Sequence, residues 1–438
     1  MRFFPIPLIL LSCILPLART HGQTKQSSQP SAVLSKKGDS VTTSDGKLTI
    51  VNIEHKRGFG KDGYDPDIKS PKSAGFSIKG DKLYVNSLEG YKTVVYDGKT
   101  KDKIKTIHHN FKSGNGGLWL PPSGYYPFTH YPGGEKKAFS GKPVEQALSK
   151  DGKYLFVPYY RRNFDLNAQD PSALAVIDTR SDSIVLMTET GPLPKMVKVS
   201  HDGNLLAITH WGDNTVGFMD ISSSNPREWK HLPPVTIGQK LKLNYSLSQP
   251  VNRDNGSGYA LRGTVFLPGD SILLVGGMGG PTAVIDLKKM KWIGMIPELS
   301  TIRHIVLRGN TLYLSNNRTG EVLKVPVSSI LEGIKESNGS TIHVSNIRKV
   351  KVGGGARTLE VTPDGDYIFV ACNTASAVYI VNAEEMQVVG NIRADSYPVG
   401  LDISPSGTIL VTTSQGRGGR GGNAVDLFRI IYNEPEIT

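Results

Sequence analysis

One short pattern recurs seven times in this 438-residue chain and limits its fold more than any other feature. An apolar-alternating segment runs into a turn of Gly, Asp, Asn or Pro, and a dense run of β-forming residues follows. The copies are GFSIKGDKLYV (75–85), QALSKDGKYLFV (146–157), VKVSHDGNLLAI (197–208), VFLPGDSILLV (265–275), HIVLRGNTLYL (304–314), LEVTPDGDYIFV (359–370) and LDISPSGTILVT (401–412). Alternation on the first arm, a turn that needs glycine or an Asx side chain, and a second arm buried on both faces describe a β-hairpin.

After each hairpin the sequence predicts further strands. Third strands are ALAVIDT (173–179), VGFMDIS (216–222), TAVIDLK (282–288), VLKVPVS (322–328) and AVYIVNA (377–383); fourth strands are IVLMTET (184–190), KWIGMIP (291–297) and QVVGNIR (387–393). Four short antiparallel strands per unit make a propeller blade. The turn glycines Gly80, Gly152, Gly203, Gly269, Gly309, Gly365 and Gly407 are 40 to 72 residues apart, so a blade takes the shorter spacing and the rest is insertion. The seventh unit ends one strand short, after DLFRIIY (426–432), and KLTIVNIE (47–54) supplies the missing strand. The expected fold is therefore all-β, a seven-bladed β-propeller of four-stranded antiparallel blades with its ring closed by an N-terminal strand. Closure removes sheet edges that would otherwise invite aggregation.

The stretch ARTLEVTPDGDYIFVACNTASAVYIVNAEEMQVVGNIRADSYPVGLDISPSG, within 356–412, resembles the YVTN-repeat (YncE-like) propellers: an S/TPDG turn, a Y-V-x-N-like strand, V-x-I-V-N and V-V-x-x-I; LYVNS (83–87) echoes it. The resemblance covers most of 47–432 and implies the propeller fold. Members of such folds include binding proteins, lactonases, oxidoreductases and scaffolds, so the fold implies no single activity.

Propeller geometry puts the d-to-a and b-to-c connections on one face, around the central channel. The insertions at 108–143, 159–172, 231–260 and 413–424 are all connections of those kinds, and long loops on one side of a rigid scaffold point to recognition. Aligning the first strands brings Lys72, Val144, Lys195, Arg262, Arg303, Arg357 and Val399 to the channel mouth, so that five of seven blades present a base. Their repulsion is relieved by an anion, which Arg forks hold through paired oxygens; pairing with carboxylates such as Glu145 is the competing reading. Among the aromatics of the insertions (Trp119, Tyr125, Tyr126, Phe128, Tyr131), pinning the loop is the plainer role, whereas Tyr159, Tyr160 and Trp211, with His210, are expected to meet a ligand.

Residues 1–22 read as a signal peptide: Arg2, an apolar run from Phe3 to Leu17 broken by Pro5, Pro7 and Pro16, and cleavage after Gly22. A lipobox-like Leu10-Leu11-Ser12-Cys13 offers lipoprotein processing as the alternative. A flexible leader (23–44) and a single propeller domain (45–438) follow, in a periplasmic, secreted or cell-surface protein. With Cys13 removed, Cys372 is left without a partner and no internal disulfide can form. The formal charge of +12 becomes +10 once Arg2 and Arg19 leave with the signal, a balance that favours acidic partners.

The function expected from these features is binding of an anionic small molecule, glycan or protein partner on the basic face by a monomer without cofactor. Two alternatives compete. A lactonase-like hydrolase would use Glu145 as base, His304 as acid and Arg357 as anion holder. Non-specific nucleic-acid binding would follow from charge alone and would be steeply salt-dependent. No metal is expected, since His108, His109, His130, His210 and His304 show no ligand spacing, and His130 with His210 would lack a third donor. Gly416–Gly421 matches GxGxxG between two strands, without the helix a dinucleotide site needs.

Overall fold

A computed structural model describes residues 35–131, 137–241, 248, 251–419 and 421–433. The proposed signal peptide, Cys13, most of the leader and Arg420 lie outside the described residues.

Seven antiparallel sheets follow one another, six of them with the order a-b-c-d from the channel outward. Blade 6 is the simplest: Ala356–Val361, Tyr367–Cys372, Ala377–Asn382 and Gln387–Arg393 pair in succession. Blade 7 takes strands a to c from Pro398–Ile403, Ile409–Ser414 and Ala424–Tyr432, and its fourth from Leu48–Arg57, which pairs from Leu48↔Tyr432 to Arg57↔Ala424. The N-terminal strand thus closes the ring. All seven turn glycines have positive φ, from 56° at Gly309 to 90° at Gly365, the region where a side chain would strain the turn. The Ser or Thr that opens the turn closes it as well: the Oγ atoms of Ser77, Ser149, Ser200, Thr362 and Ser404 accept from the amide five residues on, at 2.9–3.1 Å.

Three elements differ from expectation. Residues 40–42, placed in a flexible leader, form a strand (Ser40–Thr42) on the outer edge of blade 7, joined to Leu48–Arg57 by a turn in which Thr43 Oγ1 accepts from the Leu48 amide at 3.0 Å. Blade 5's third strand stops at Pro326, and a helix, α1 (Val327–Glu336), precedes the fourth strand, Arg348–Lys351. Pro326 accounts for the boundary: it has no amide hydrogen for the ladder, and its fixed φ suits the start of a helix. Blade 2's second strand, Tyr154–Arg162, runs on through residues expected in a loop, and its first strand is split into Gly141–Pro143 and Ala147–Leu148.

The core lies between blades. Leu48, Ile50, Phe369, Ile380, Leu410 and Phe428, for example, form one cluster across the closing joint. Cys372 is buried and unpaired. No helix among the described residues is long and apolar enough to cross a membrane.

Candidate functional site

The second residue of the innermost strand is the base in five blades: Lys72 in Pro71–Phe76, Lys195 in Pro194–Val199, Arg262 in Leu261–Phe266, Arg303 in Ile302–Arg308 and Arg357 in Ala356–Val361. In each, the register with strand b shifts there, and the same shift occurs at Val399 in blade 7. Such an irregularity re-aims a side chain out of the pleat, and here it turns the bases toward the channel. Close approach of neighbouring inner strands leaves no room for a Cβ at Gly400, which would stand 2.7 Å from the Lys72 carbonyl oxygen.

The charges converge. Burial, then the charges of Arg357, Arg262 and Arg303, hold the Lys72 ammonium well below its usual range. Burial and Arg262 push Arg357 down to about 9, and burial with Arg357 and Arg262 lowers Arg303. Among the described residues one carboxylate enters this group: Glu145, from the break in blade 2's first strand, accepts from Arg262 Nη2 at 2.7 Å across the opening. Among the described residues Arg303 reaches only Met278 Sδ, at 3.6 Å, and its Nε has no acceptor. The Arg357 guanidinium makes no hydrogen bond or ion pair among the described residues; its Nε too is buried without a partner, in a residue 4% exposed.

Lys195 also feels Arg262 and Arg303 but has a carboxylate of its own. Its Nζ lies 3.8 Å from the Tyr160 ring centroid, 4.8 Å from that of Trp211 and 3.8 Å from Asp254. Asp254 also accepts from Tyr160 and Arg161, and its backbone oxygen takes the Trp211 indole N–H at 3.3 Å. Burial works to raise the Asp254 carboxyl, but Lys195 and these donors keep it below its usual value. Tyr160 and Trp211, expected to meet a ligand, therefore enclose the protein's own lysine.

Tyr159 and His210 are corrected outright. Tyr159 is fully buried, its hydroxyl 2.8 Å from His109 Nδ1, because strand b extends past it. His210 is also buried: Nε2 accepts from the Gly191 amide at 3.1 Å, Nδ1 lies 2.8 Å from Thr215 Oγ1, and burial pushes it down to about 3. His130 is paired with Asp170 at 3.1 Å, and no group of three metal-ligating side chains exists among the described residues. Tyr126 is buried between His210 and His231, both rings 5.5 Å away, so it does pin its loop. In the glycine-rich loop the Gly422 amide donates to Asp395 at 2.9 Å, while Arg417 stacks 5.7 Å from Tyr397, whose hydroxyl acts electrostatically on Arg303 and Arg357.

Beneath the mouth is a cavity of about 190 Å³, lined by Glu145, Lys198, His304, Glu360 and Asp402 among others. Burial pushes His304 down to about 3, which leaves it neutral, and its Nδ1 accepts weakly from the Leu359 amide at 3.5 Å. Burial and the nearby Asp402 push Glu360 up to about 8; burial likewise pushes Asp402, which accepts from the Phe76 amide at 2.7 Å, to about 6. With Glu145 tied to Arg262 and His304 neutral, the two residues considered for acid–base work are both engaged otherwise.

No family model and no curated protein matches the chain. Among solved structures it is similar to a chain of Kuenenia stuttgartiensis hydrazine synthase, with a TM-score of 0.56 at 13% identity, covering 83% of this chain and 96% of that one, a likeness that shows the propeller fold.

Proposed function

We propose that this chain, a YVTN-like propeller exported by the signal at 1–22, binds a small anion bearing carboxylate or phosphate oxygens at its channel mouth. One observation carries the reading: Arg357, buried, and Arg303, half-buried beside it, each hold a buried Nε donor that has no acceptor, next to Lys72 and an Arg262 whose carboxylate is already supplied. Buried guanidinium donors without acceptors are rare because the lost hydration is costly. A small ligand suits a mouth whose bases are almost enclosed, in preference to a nucleic acid, which needs cations spread over an open face. Charge on the exterior is then a general property, and recognition belongs to the mouth.

The test is thermal denaturation in citrate, phosphate and sulfate against chloride at matched ionic strength. A bound anion raises the midpoint by mass action, and the rise should disappear in Arg303→Gln/Arg357→Gln. An equal rise in that folded variant would remove the proposal.

A further inference from the structure

Away from the channel, the first insertion encloses a second cavity on the flank of blade 2. The chain leaves blade 1 and lies along blade 2's outer strand, Ser183–Thr190, where the Leu120 amide donates to the Met187 carbonyl at 2.9 Å. The pocket, open on one side, has a volume of about 150 Å³ and is walled by the rings of Trp119, Tyr126 and Phe128, with Arg162 and Glu189 also in its lining. A cavity of roughly 150 Å³ with apolar walls is large enough for one benzene-sized ring.

Arg162 is 1% exposed, at the end of the extended strand Tyr154–Arg162. Its Nη2 donates to the Ser172 carbonyl at 3.0 Å, while Nε and Nη1 have no acceptor. The guanidinium carbon lies 4.6 Å from the Phe128 ring centroid, 4.5 Å from Phe139 and 5.3 Å from Trp119. The Trp119 indole N–H is buried without an acceptor too. Three donors with nothing to bind therefore belong to one aromatic-walled space. Aromatic faces stabilise the cation but accept none of its in-plane hydrogens. Burial pushes the group down to about 9 and outweighs the charges of Glu189, Asp165 and Asp170, which act to raise it without accepting its Nε or Nη1 hydrogens.

We propose that this cavity binds a single-ring aromatic carboxylate. Its ring packs among Trp119, Tyr126 and Phe128, and its carboxylate takes the free Arg162 donors and the Trp119 N–H. A tetrahedral anion would leave the aromatic walls unfilled, and a neutral ring would leave the guanidinium unmatched.

Titration calorimetry of the full chain with benzoate is the direct test, with acetate (carboxylate without ring) and benzamide (ring without charge) as comparisons. In the Arg303→Gln/Arg357→Gln background, which removes the channel-mouth anion site, benzoate should bind at one site, with acetate and benzamide each weaker by about tenfold or more. Trp119→Phe keeps the wall but removes the donor, and should weaken benzoate by about three- to tenfold; Arg162→Gln should abolish saturation. The Trp119- and Arg162-dependent benzoate site should persist in Arg303→Gln/Arg357→Gln, while any second, acetate-competed site disappears, which separates this site from the channel mouth. Absence of saturable benzoate heat, equal affinity for acetate, unchanged affinity in Trp119→Phe, or loss only in the channel-mouth variant would each overturn the assignment.

Discussion

At the scale of single residues, Glu360 and Asp402 show what the channel does to a charge. Glu360's ordinary value is 4.5 and burial with Asp402 pushes it to about 8, so over that interval the folded chain keeps a proton that the unfolded chain has released. A raised pKa favours the fold fully below the unfolded value and loses that contribution as the pH climbs through the folded one. Asp402 acts with the same sign between 3.8 and about 6. Glu360→Gln cannot ionise, so it should melt several degrees above the parent at pH 8 and converge with it near pH 4; parallel melting curves across that range would contradict this. The bases above were legible in the sequence because one bulge recurs at one offset in six of the seven inner strands, so an alignment of hairpins is also an alignment of side chains. Asp254 and Arg162 were not. Asp254 reaches Lys195 from an insertion that no spacing relates to it, and Arg162 appeared to be in a loop because a nine-residue strand b is longer than its counterparts, six residues each in blades 1 and 3–7.

At the scale of elements, the closing strand Leu48–Arg57 is held by more than its ladder. His55 Nδ1 lies 2.6 Å from Asp426 Oδ1 and Nε2 lies 3.5 Å from Asp395 Oδ2, while Ser35 and Asn52 donate to the same Asp426 oxygen at 2.6 and 2.9 Å. Burial pulls His55 down, but Asp426 and Asp395 outweigh it and raise it above 6.5. The stability it contributes is therefore complete below pH 6.5 and is lost as pH rises through the raised value; burial raises Asp395 too, and its contribution declines in the same direction. His55→Gln should cost about 1.5–3 kcal/mol at pH 6, the usual worth of a charged hydrogen bond, and much less at pH 9, as read from denaturant midpoints. The closing role of this strand followed from counting strands. Its partner Ser40–Thr42 was missed although Thr43-Ser44-Asp45-Gly46 carries the same turn chemistry, Thr43 Oγ1 to the Leu48 amide, as five of the seven hairpins. The Ser- and Lys-rich composition before it hid a three-residue strand, and α1 was hidden by a Val-rich run that reads as strand through Pro326 to residue 328.

At the scale of the whole molecule, blades 1 to 6 each draw their strands from one continuous stretch, whereas blade 7 joins residues 48–57 to 424–432. Closing a loop of that length brings an entropic cost before any contact repays it, and non-local pairing is slow. Pulse-labelled hydrogen exchange during refolding should find these two strands protected last; protection there before blades 3 and 4 would contradict the order. Until they pair, the outer edge of Ala424–Tyr432 is an open sheet edge, so a chain lacking residues 35–57 should aggregate on heating where the full chain does not.

The bulge in the inner strands has one more consequence. Because the ladder already gives way at the mouth residue, the side chain there is released from cross-strand pairing, and the sheet does not depend on which residue it is. Lysine, arginine and valine occupy equivalent slots in this one molecule. The propeller thereby separates its architecture from its selectivity: the rim is a set of independently exchangeable positions, and a change of ligand can proceed one blade at a time without renegotiating the fold.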